Sequence, residues 1–231
     1  MRSLFSISFI LLLGLTSCNL KSYEGEITTD KRTTKDYDRI RIDGAFDVTI
    51  DESKTSGLTI TAPSDALKDI RSEVVNGELI LDLDNVGFMN PDIQVSIANN
   101  QLKAIRISGS GDFEGRVYPS GDLSLTIGGS GSIKTSAEAD RIDATVSGSG
   151  DITASGSCDR IDANVSGSGE IDLGEMPASN AKAVVSGSGD IRLNVSGNLE
   201  AIVSGSGDIE YTGNPQDVNK SVSGSGDVSP F

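Results

Sequence analysis

Acidic residues recur at nearly constant intervals in the second half of the chain, and regularly spaced carboxylates could bind a divalent cation. Each acid closes a Ser-Gly-Ser-Gly-Asp motif or a variant of it: Asp112, Asp151, Glu170, Asp190, Asp208 and Asp227. If the motifs stack, neighbouring acids lie about 5 Å apart, and a cation would relieve their repulsion. Ser132 takes the place of the acid in one copy, which argues against an essential row of metal ions. We therefore predict no metal and expect each acid to accept hydrogen bonds from backbone N–H groups of its own turn. The alternative is a calcium ladder of Asp151, Glu170, Asp190, Asp208 and Asp227.

The composition argues against the common kinds of catalysis. The chain has no histidine and only two cysteines, which excludes Ser-His-Asp and Cys-His nucleophile systems and four-thiolate zinc sites. No Gly-Lys-Ser/Thr follows the Gly-Ser-Gly pattern, so it does not match a phosphate-binding loop. The net charge of −15 disfavours nucleic acid, whose binding needs Lys and Arg to neutralise phosphates. The sequence thus predicts a protein without a cofactor that is not an enzyme.

The motif marks a structural repeat, which must position the acids. Its copies begin 18 to 20 residues apart, at Ser108, Gly128, Ser147, Ser166, Ser186, Ser204 and Ser223. The residue before each copy is always β-branched: Ile107, Ile127, Val146, Val165, Val185, Val203 and Val222. A second column, three residues before each copy, is mostly apolar: Ile105, Leu125, Ala144, Ala163, Ala183, Ala201 and Lys220. Apolar columns two residues apart are typical of strands.

This pattern predicts an all-β, single-domain parallel β-helix with about 19 residues per coil in the C-terminal half. Each coil should contain a short strand, a glycine corner, a second short strand and a variable return loop. An antiparallel meander is disfavoured because it would require alternating, dissimilar units. Right-handed winding is expected because parallel crossover connections are right-handed. Cys158, between Ser157 and Asp159, is expected in a turn as a small, tolerated residue.

The chain begins with an apolar segment that resembles an export signal. Arg2 precedes an apolar run that ends in Leu15-Thr16-Ser17-Cys18. This ending resembles the lipobox of bacterial lipoproteins. The resemblance implies a signal peptide over residues 1–17, lipidation of Cys18 and anchoring of the protein to a membrane. The absence of aspartate at Asn19 favours the outer membrane, with either its periplasmic or its surface face open.

The remaining chain divides into a tether and one domain. Residues 18–36 are polar and are expected to form a lipidated tether. Residues 37–231 should form the β-helix, with irregular early coils and a cap over 37–105 and regular repeats over 106–231. Residues 63–74 could hold one or two helical turns with Ser64 as the cap. Asn76-Gly77 predicts a hairpin turn.

Several of these features together resemble one protein family. They are the lipobox, the segment Ile40-Arg41-Ile42-Asp43-Gly44-Ala45-Phe46-Asp47-Val48, the Asn76-Gly77-Glu78-Leu79 turn and the repeated corners. They are similar to the putative auto-transporter adhesin, head GIN domain family of Bacteroidetes envelopes. The resemblance implies a parallel β-helical domain exposed in the envelope. Because a lipobox precedes a solenoid without catalytic groupings, we expect a non-enzymatic envelope lipoprotein whose rigid β-helix acts as an adhesin or contacts an extracellular glycan or protein. The alternatives are a carbohydrate-binding or polysaccharide-lyase-like β-helix protein, and a structural or sensory envelope component.

Overall fold

The computed structural model describes residues 23–83, 91–98 and 101–231. Within these ranges the chain forms one hydrogen-bonded sheet that winds into a solenoid. Its strands are β1 (Ile27–Arg32), β2 (Arg39–Gly44), β3 (Asp47–Asp51), β4 (Leu58–Pro63), β5 (Ile70–Val75), β6 (Glu78–Leu83), β7 (Gln94–Ala98), β8 (Ala104–Gly109), β9 (Asp112–Arg116), β10 (Leu123–Ile127), β11 (Ser132–Val146), β12 (Asp151–Gly167), β13 (Glu170–Gly187), β14 (Asp190–Gly205), β15 (Ile209–Thr212), β16 (Asp217–Gly224) and β17 (Val228–Pro230). No helical segment of the described residues has the length and apolar character to span a bilayer.

Parallel pairing between successive coils builds the stack. On one side of the corners the order is β6, β2, β8, β10, β11, β12, β13, β14, β16. On the other side it is β7, β3, β9, β11, β12, β13, β14, β15, β17. The solenoid has about seven coils spaced by about 19 residues, which confirms the predicted parallel β-helix.

The apolar columns fill the interior. Val146, Val165, Val185 and Val203 stack directly on one another and are almost completely buried. The alanine column beside them is equally buried, from Ala144 to Ala201. Because the alanine side chains are small, the walls of the coil can approach each other closely at this level.

Glycines at the corners allow the coils to stack at strand spacing. Gly187 has a φ of +142°, and a Cβ on it would lie 2.3 Å from the carbonyl oxygen of Gly167 in the coil before. The carbonyl of Gly187 in turn accepts a hydrogen bond from the N–H of Ser206, with an N···O distance of 2.8 Å. The corner therefore excludes side chains for two reasons, backbone conformation and the approach of the neighbouring backbone.

The return segments differ from the prediction of variable loops. Strands β11 to β14 continue from one corner to the next, with lengths of 15 to 18 residues. Their returns pair between coils because stacked backbones can satisfy each other's N–H and C=O groups. The turn expected at Cys158 is also wrong. Cys158 lies within β12, is buried, and pairs in register with Ala139 and Ala178.

Part of the predicted tether is a strand. Ile27–Arg32 forms β1 and pairs antiparallel with β4, which itself pairs antiparallel with β7. Arg32 holds this segment in place, because its guanidinium donates to the carbonyl oxygens of Leu67 and Ile70 at 2.8 and 2.7 Å. The polar composition that suggested a tether instead suits a strand at the edge of a sheet.

The helical turns expected over residues 63–74 are replaced by turns and a strand. Residues 64–69 form hydrogen-bonded turns, and Ile70–Val75 is β5, which pairs antiparallel with β6. The strand is favoured because Ile70 and the β-branched Val74 and Val75 can pair with the neighbouring hairpin strand. The predicted Asn76-Gly77 hairpin turn is confirmed: both residues have positive φ, at 52° and 79°.

The two ends of the stack differ. At the N-terminal end, β5 and β4 pair antiparallel with β6 and β7 and cover that end. At the other end, β16 pairs with β14 and with no other described strand. Val218 and Val222 occupy columns that are buried in the preceding coils, yet they are 37% and 42% exposed. Lys220 stands in register with Ala201, and its ammonium donates to the carbonyl oxygen of Val228 at 3.3 Å.

Candidate functional site

The row of corner acids binds backbone groups of the following coil. The N–H of Asp208 donates to Asp190 Oδ1 at 2.8 Å, and the N–H of Asp227 donates to Asp208 Oδ1 at 2.7 Å. The same contact joins Glu170 to Asp151 and Ser132 to Asp112, at 3.1 and 2.9 Å. The prediction that each acid accepts hydrogen bonds from N–H groups of its own turn is therefore wrong, because the donor N–H belongs to the next coil. Because the corners stack directly, each of these carboxylates lies beside a backbone N–H of the next coil.

These contacts give four of the corner acids, Asp112, Asp151, Asp190 and Asp208, a backbone partner in the next coil. Each bond joins a carboxylate oxygen to a backbone donor, and hydrogen bonds of this kind are stronger than those between neutral groups. The side chain of Glu170 turns away from the row and pairs with the guanidinium of Arg192. Within the described ranges, no group of three or more Asp, Glu, Cys or His residues is arranged to hold a metal ion. The acids are therefore structural links between coils.

The two cysteines occupy different situations. Cys18 and the lipobox lie outside the described residues, so lipidation stays a prediction. Cys158 is a free, buried cysteine. Burial, assisted by the nearby Asp159, raises the pKa of its thiol to about 11. A thiol that stays protonated at neutral pH is a poor nucleophile, so Cys158 is not a candidate for catalysis.

A cleft of about 600 Å³ opens at the N-terminal end of the stack. Four separate segments form it: the residues that enter β2, the turn between β5 and β6, the segment before β8 and the loop before β10. The residues that line it mostly carry polar side chains and comprise Asp36, Tyr37, Asp38, Arg39, Asn76, Gly77, Gln101, Lys103 and Ser120. The sequence predicts the Asn76-Gly77 turn but not the cleft, because the residues that line the cleft are far apart in the chain.

Backbone hydrogen bonds hold the cleft in shape. The carbonyl of Gly77 accepts from the N–H groups of Asp38 and Arg39 at 3.0 and 3.3 Å. The N–H of Lys103 donates to the carbonyl of Asp38 at 2.6 Å. Three of the four segments are thereby linked at one point. The ring of Tyr37 is buried beneath them and belongs to the hydrophobic core.

Charged side chains in the cleft are mutually paired. Asp38 accepts from the ammonium of Lys103 at 3.0 Å and lies 3.4 Å from the guanidinium of Arg39. The hydrogen bond from Lys103 and the charges of both cations hold the pKa of Asp38 below its usual range. Arg39 also donates to the backbone carbonyl of Asn76. At neutral pH the carboxylate of Asp38 is therefore ionised, and the positive charges of Lys103 and Arg39 lie beside it.

Comparison with protein families yields one match over most of the chain. The family described as "putative auto-transporter adhesin, head GIN domain" matches residues 36–215. The matched range begins at the cleft and runs through nearly all the coils. Among curated proteins, none matches the chain.

Solved structures share the fold. A putative adhesin from Bacteroides fragilis NCTC 9343 is 22% identical, with a TM-score of 0.81 over 90% of this chain and 99% of that chain. A putative lipid binding protein from Parabacteroides distasonis ATCC 8503 is 25% identical, with a TM-score of 0.74 over 90% and 97% of the two chains. A putative adhesin from Parabacteroides merdae ATCC 43184 is 21% identical, with a TM-score of 0.73 over 90% and 97%.

Proposed function

Since the chain belongs to the putative auto-transporter adhesin, head GIN domain family, we propose that it is a non-enzymatic adhesin of the cell envelope. In this proposal the β-helix is a rigid body that contacts an extracellular glycan or protein. The single observation that carries it is the family match, which spans residues 36–215 and so includes the cleft and nearly all the coils. A family of adhesins is one of surface or envelope proteins.

The construction of the stack supports a presenting role. Strands β12 and β13 pair with both neighbouring coils along most of their length, with register shifts confined to the return segments. Side chains that alternate with the buried columns point outward and are mostly polar, which keeps the long faces soluble. Such a body can hold a binding surface in a constant shape, which lowers the entropic cost of binding.

We place the anchor at Cys18, in the outer membrane, with the polar residues after it as a short lead into β1. The lipobox Leu15-Thr16-Ser17-Cys18 is the observation that motivates this part. Its test is metabolic labelling of cells with radioactive palmitate, comparing the wild-type chain with Cys18→Ala. Cys158→Ala is the matched control, because it removes the other cysteine and leaves the lipobox unchanged. Label is expected in the wild type and in the control but not in Cys18→Ala. Equal labelling of all three would refute the anchor.

Adhesion is tested on whole cells that express the full chain. Such cells should adhere to immobilised matrix proteins or glycans more strongly than cells carrying an empty vector. Cleavage of the chain by protease added to intact cells would identify the surface face. Adhesion no stronger than that of vector cells, on every surface tried, would contradict the proposed function.

A further inference from the structure

We propose that the cleft at the start of β2 binds a neutral oligosaccharide. This inference rests on the proposed function, because it supplies the ligand class for the contact with an extracellular surface. It is carried by three properties of the cleft: its charge balance, its unused polar groups and its fixed geometry.

The cleft is charge-neutral on a strongly acidic molecule. Two cations, Arg39 and Lys103, face two anions, Asp36 and Asp38. The chain as a whole has a net charge of −15. Both cations already pair with Asp38, so a sulfate, phosphate or uronate would have to compete with that carboxylate. A metal cation would meet the same two positive groups. The cleft therefore favours ligands without net charge.

Several polar side chains of the cleft have no partner in the described part of the protein. The amides of Asn76 and Gln101 and the hydroxyl of Ser120 make no hydrogen bond to other described residues. An amide offers two donors and one acceptor, and a hydroxyl offers both functions. Sugar hydroxyls likewise donate and accept, and they sit at fixed angles on a ring. Adjacent hydroxyls thus match a surface where donors and acceptors lie side by side.

The paired charges add fixed hydrogen-bonding groups. Asp38 and Arg39 are held by each other, by Lys103 and by the backbone at Asn76, while all three charged side chains are 41 to 50% exposed. Their outward atoms can accept or donate without further ordering, which reduces the entropic cost of binding. The volume of about 600 Å³ lies within the usual range of ligand sites, roughly 300–1,000 Å³.

Two substitutions remove ligand contacts without removing the supports of the cleft. Asn76→Gly deletes the amide but keeps the carbonyl that Arg39 contacts, and glycine accepts the φ of 52° at this position. Gln101→Ala removes the second free amide. The control is Asn219→Ala, an exposed amide on β16 at the far end of the stack. Far-UV circular dichroism verifies that all three variants retain the fold.

The probe is a panel of linear neutral oligosaccharides of glucose, mannose, galactose and N-acetylglucosamine, with sulfated and uronate oligomers of matched length. We expect the wild-type chain to bind at least one neutral member in calorimetric titration. Asn76→Gly and Gln101→Ala should each weaken that binding at least tenfold, and Asn219→Ala should leave it unchanged. Binding of only the anionic oligomers would overturn the inference, as would no binding, or neutral binding that both cleft variants retain.

Cell adhesion separates this inference from the proposed function. If cells that express either cleft variant adhere as strongly as wild-type cells while the panel shows no binding, the inference fails and the adhesin proposal stands. If wild-type cells do not adhere although the cleft binds a neutral oligosaccharide, the adhesin proposal fails and the inference stands.

Discussion

Two adjacent glycines in one corner provide a sharp test of the stacked architecture. A Cβ on Gly129 would lie 2.1 Å from the carbonyl oxygen of Gly109 and 2.9 Å from its carbonyl carbon and nitrogen. A Cβ on Gly128 would meet nothing nearer than the carbonyl oxygen of Ile107, at 3.8 Å. Neither residue has a positive φ in the range that disfavours other residues. Gly129→Ala and Gly128→Ala therefore make the same chemical change, and only the new methyl group at position 129 meets the backbone of the neighbouring coil.

The magnitude follows from the size of the overlap. The 2.1 Å contact at Gly129 is more than an ångström shorter than an ordinary van der Waals contact, which begins at 3.4 Å. Backbone blocks the methyl group, so the coils must separate and the hydrogen bond from Ser130 N–H to Gly109 O, now 2.9 Å, must lengthen. Overpacking costs about 1–3 kcal/mol and a lost backbone hydrogen bond about 1 kcal/mol more. We expect Gly129→Ala to lower the free energy of unfolding by about 3 kcal/mol.

The assay is equilibrium unfolding in urea followed by far-UV circular dichroism, with linear extrapolation to water. Gly128→Ala should change the free energy of unfolding by less than about 0.5 kcal/mol, or raise it slightly, since alanine restricts the unfolded chain. The result that refutes the reasoning is equal stability of the two variants. It would mean that the backbone of Gly109 does not lie close to Gly129 in the neighbouring coil.

Three further predictions concern the acids, the buried thiol and the open end. Asp190→Ala removes the acceptor of the Asp208 N–H and should lower the free energy of unfolding, measured in urea, by roughly 1 kcal/mol. A rise in the Tm of the wild type on addition of calcium, absent in Asp190→Ala, would contradict the structural role of this acid. The native Cys158 thiol, with its pKa raised to about 11, keeps its proton while the unfolded thiol, with a pKa of 9.0, loses it. The free energy of unfolding should therefore fall as the pH rises from 9.0 towards 11, and this fall should be smaller in Cys158→Ala. If the free energies of unfolding of the two proteins follow the same pH dependence, the prediction is refuted. Lys220→Ala extends the apolar column to the last coil and should cause concentration-dependent self-association, measured by light scattering. The control Lys182→Ala, on an outer face, should not self-associate. If Lys220→Ala stays monomeric, Lys220 does not protect this end of the stack.

The repeating half of the fold could be predicted because each coil repeats the same physical constraints. A β-branched residue before each corner and an apolar residue after it mark the inward face, and the pattern from Ile107 to Val203 confirms this position by position. The sequence predicts loops for the return segments, because no regular apolar period marks them as strands. Their strand character comes from pairing with the coils above and below, which no single repeat reveals.

The first part of the chain is harder to predict because β1, β4 and β7 pair antiparallel with strands that are distant in the sequence. Strand β1 looked like a tether, since its residues are polar and its partner β4 lies about thirty residues away. The acids illustrate the same limit at the corners: sequence gives their spacing but not that Asp190 binds the next coil. The cleft depends entirely on such long-range assembly, because Asp38, Asn76 and Lys103 meet only in the folded stack.

The position of the cleft has a mechanical consequence. Tension applied between the proposed anchor at Cys18 and a ligand on the open coil β16 would run along the axis of the solenoid. It would pull the coils apart in the direction of their inter-coil hydrogen bonds, one interface after another. A ligand held in the cleft avoids most of this path, because the cleft is built on the first coils and includes the residues that lead into β2. The stack itself would then carry little tension and could stay intact while the cell is pulled by flow.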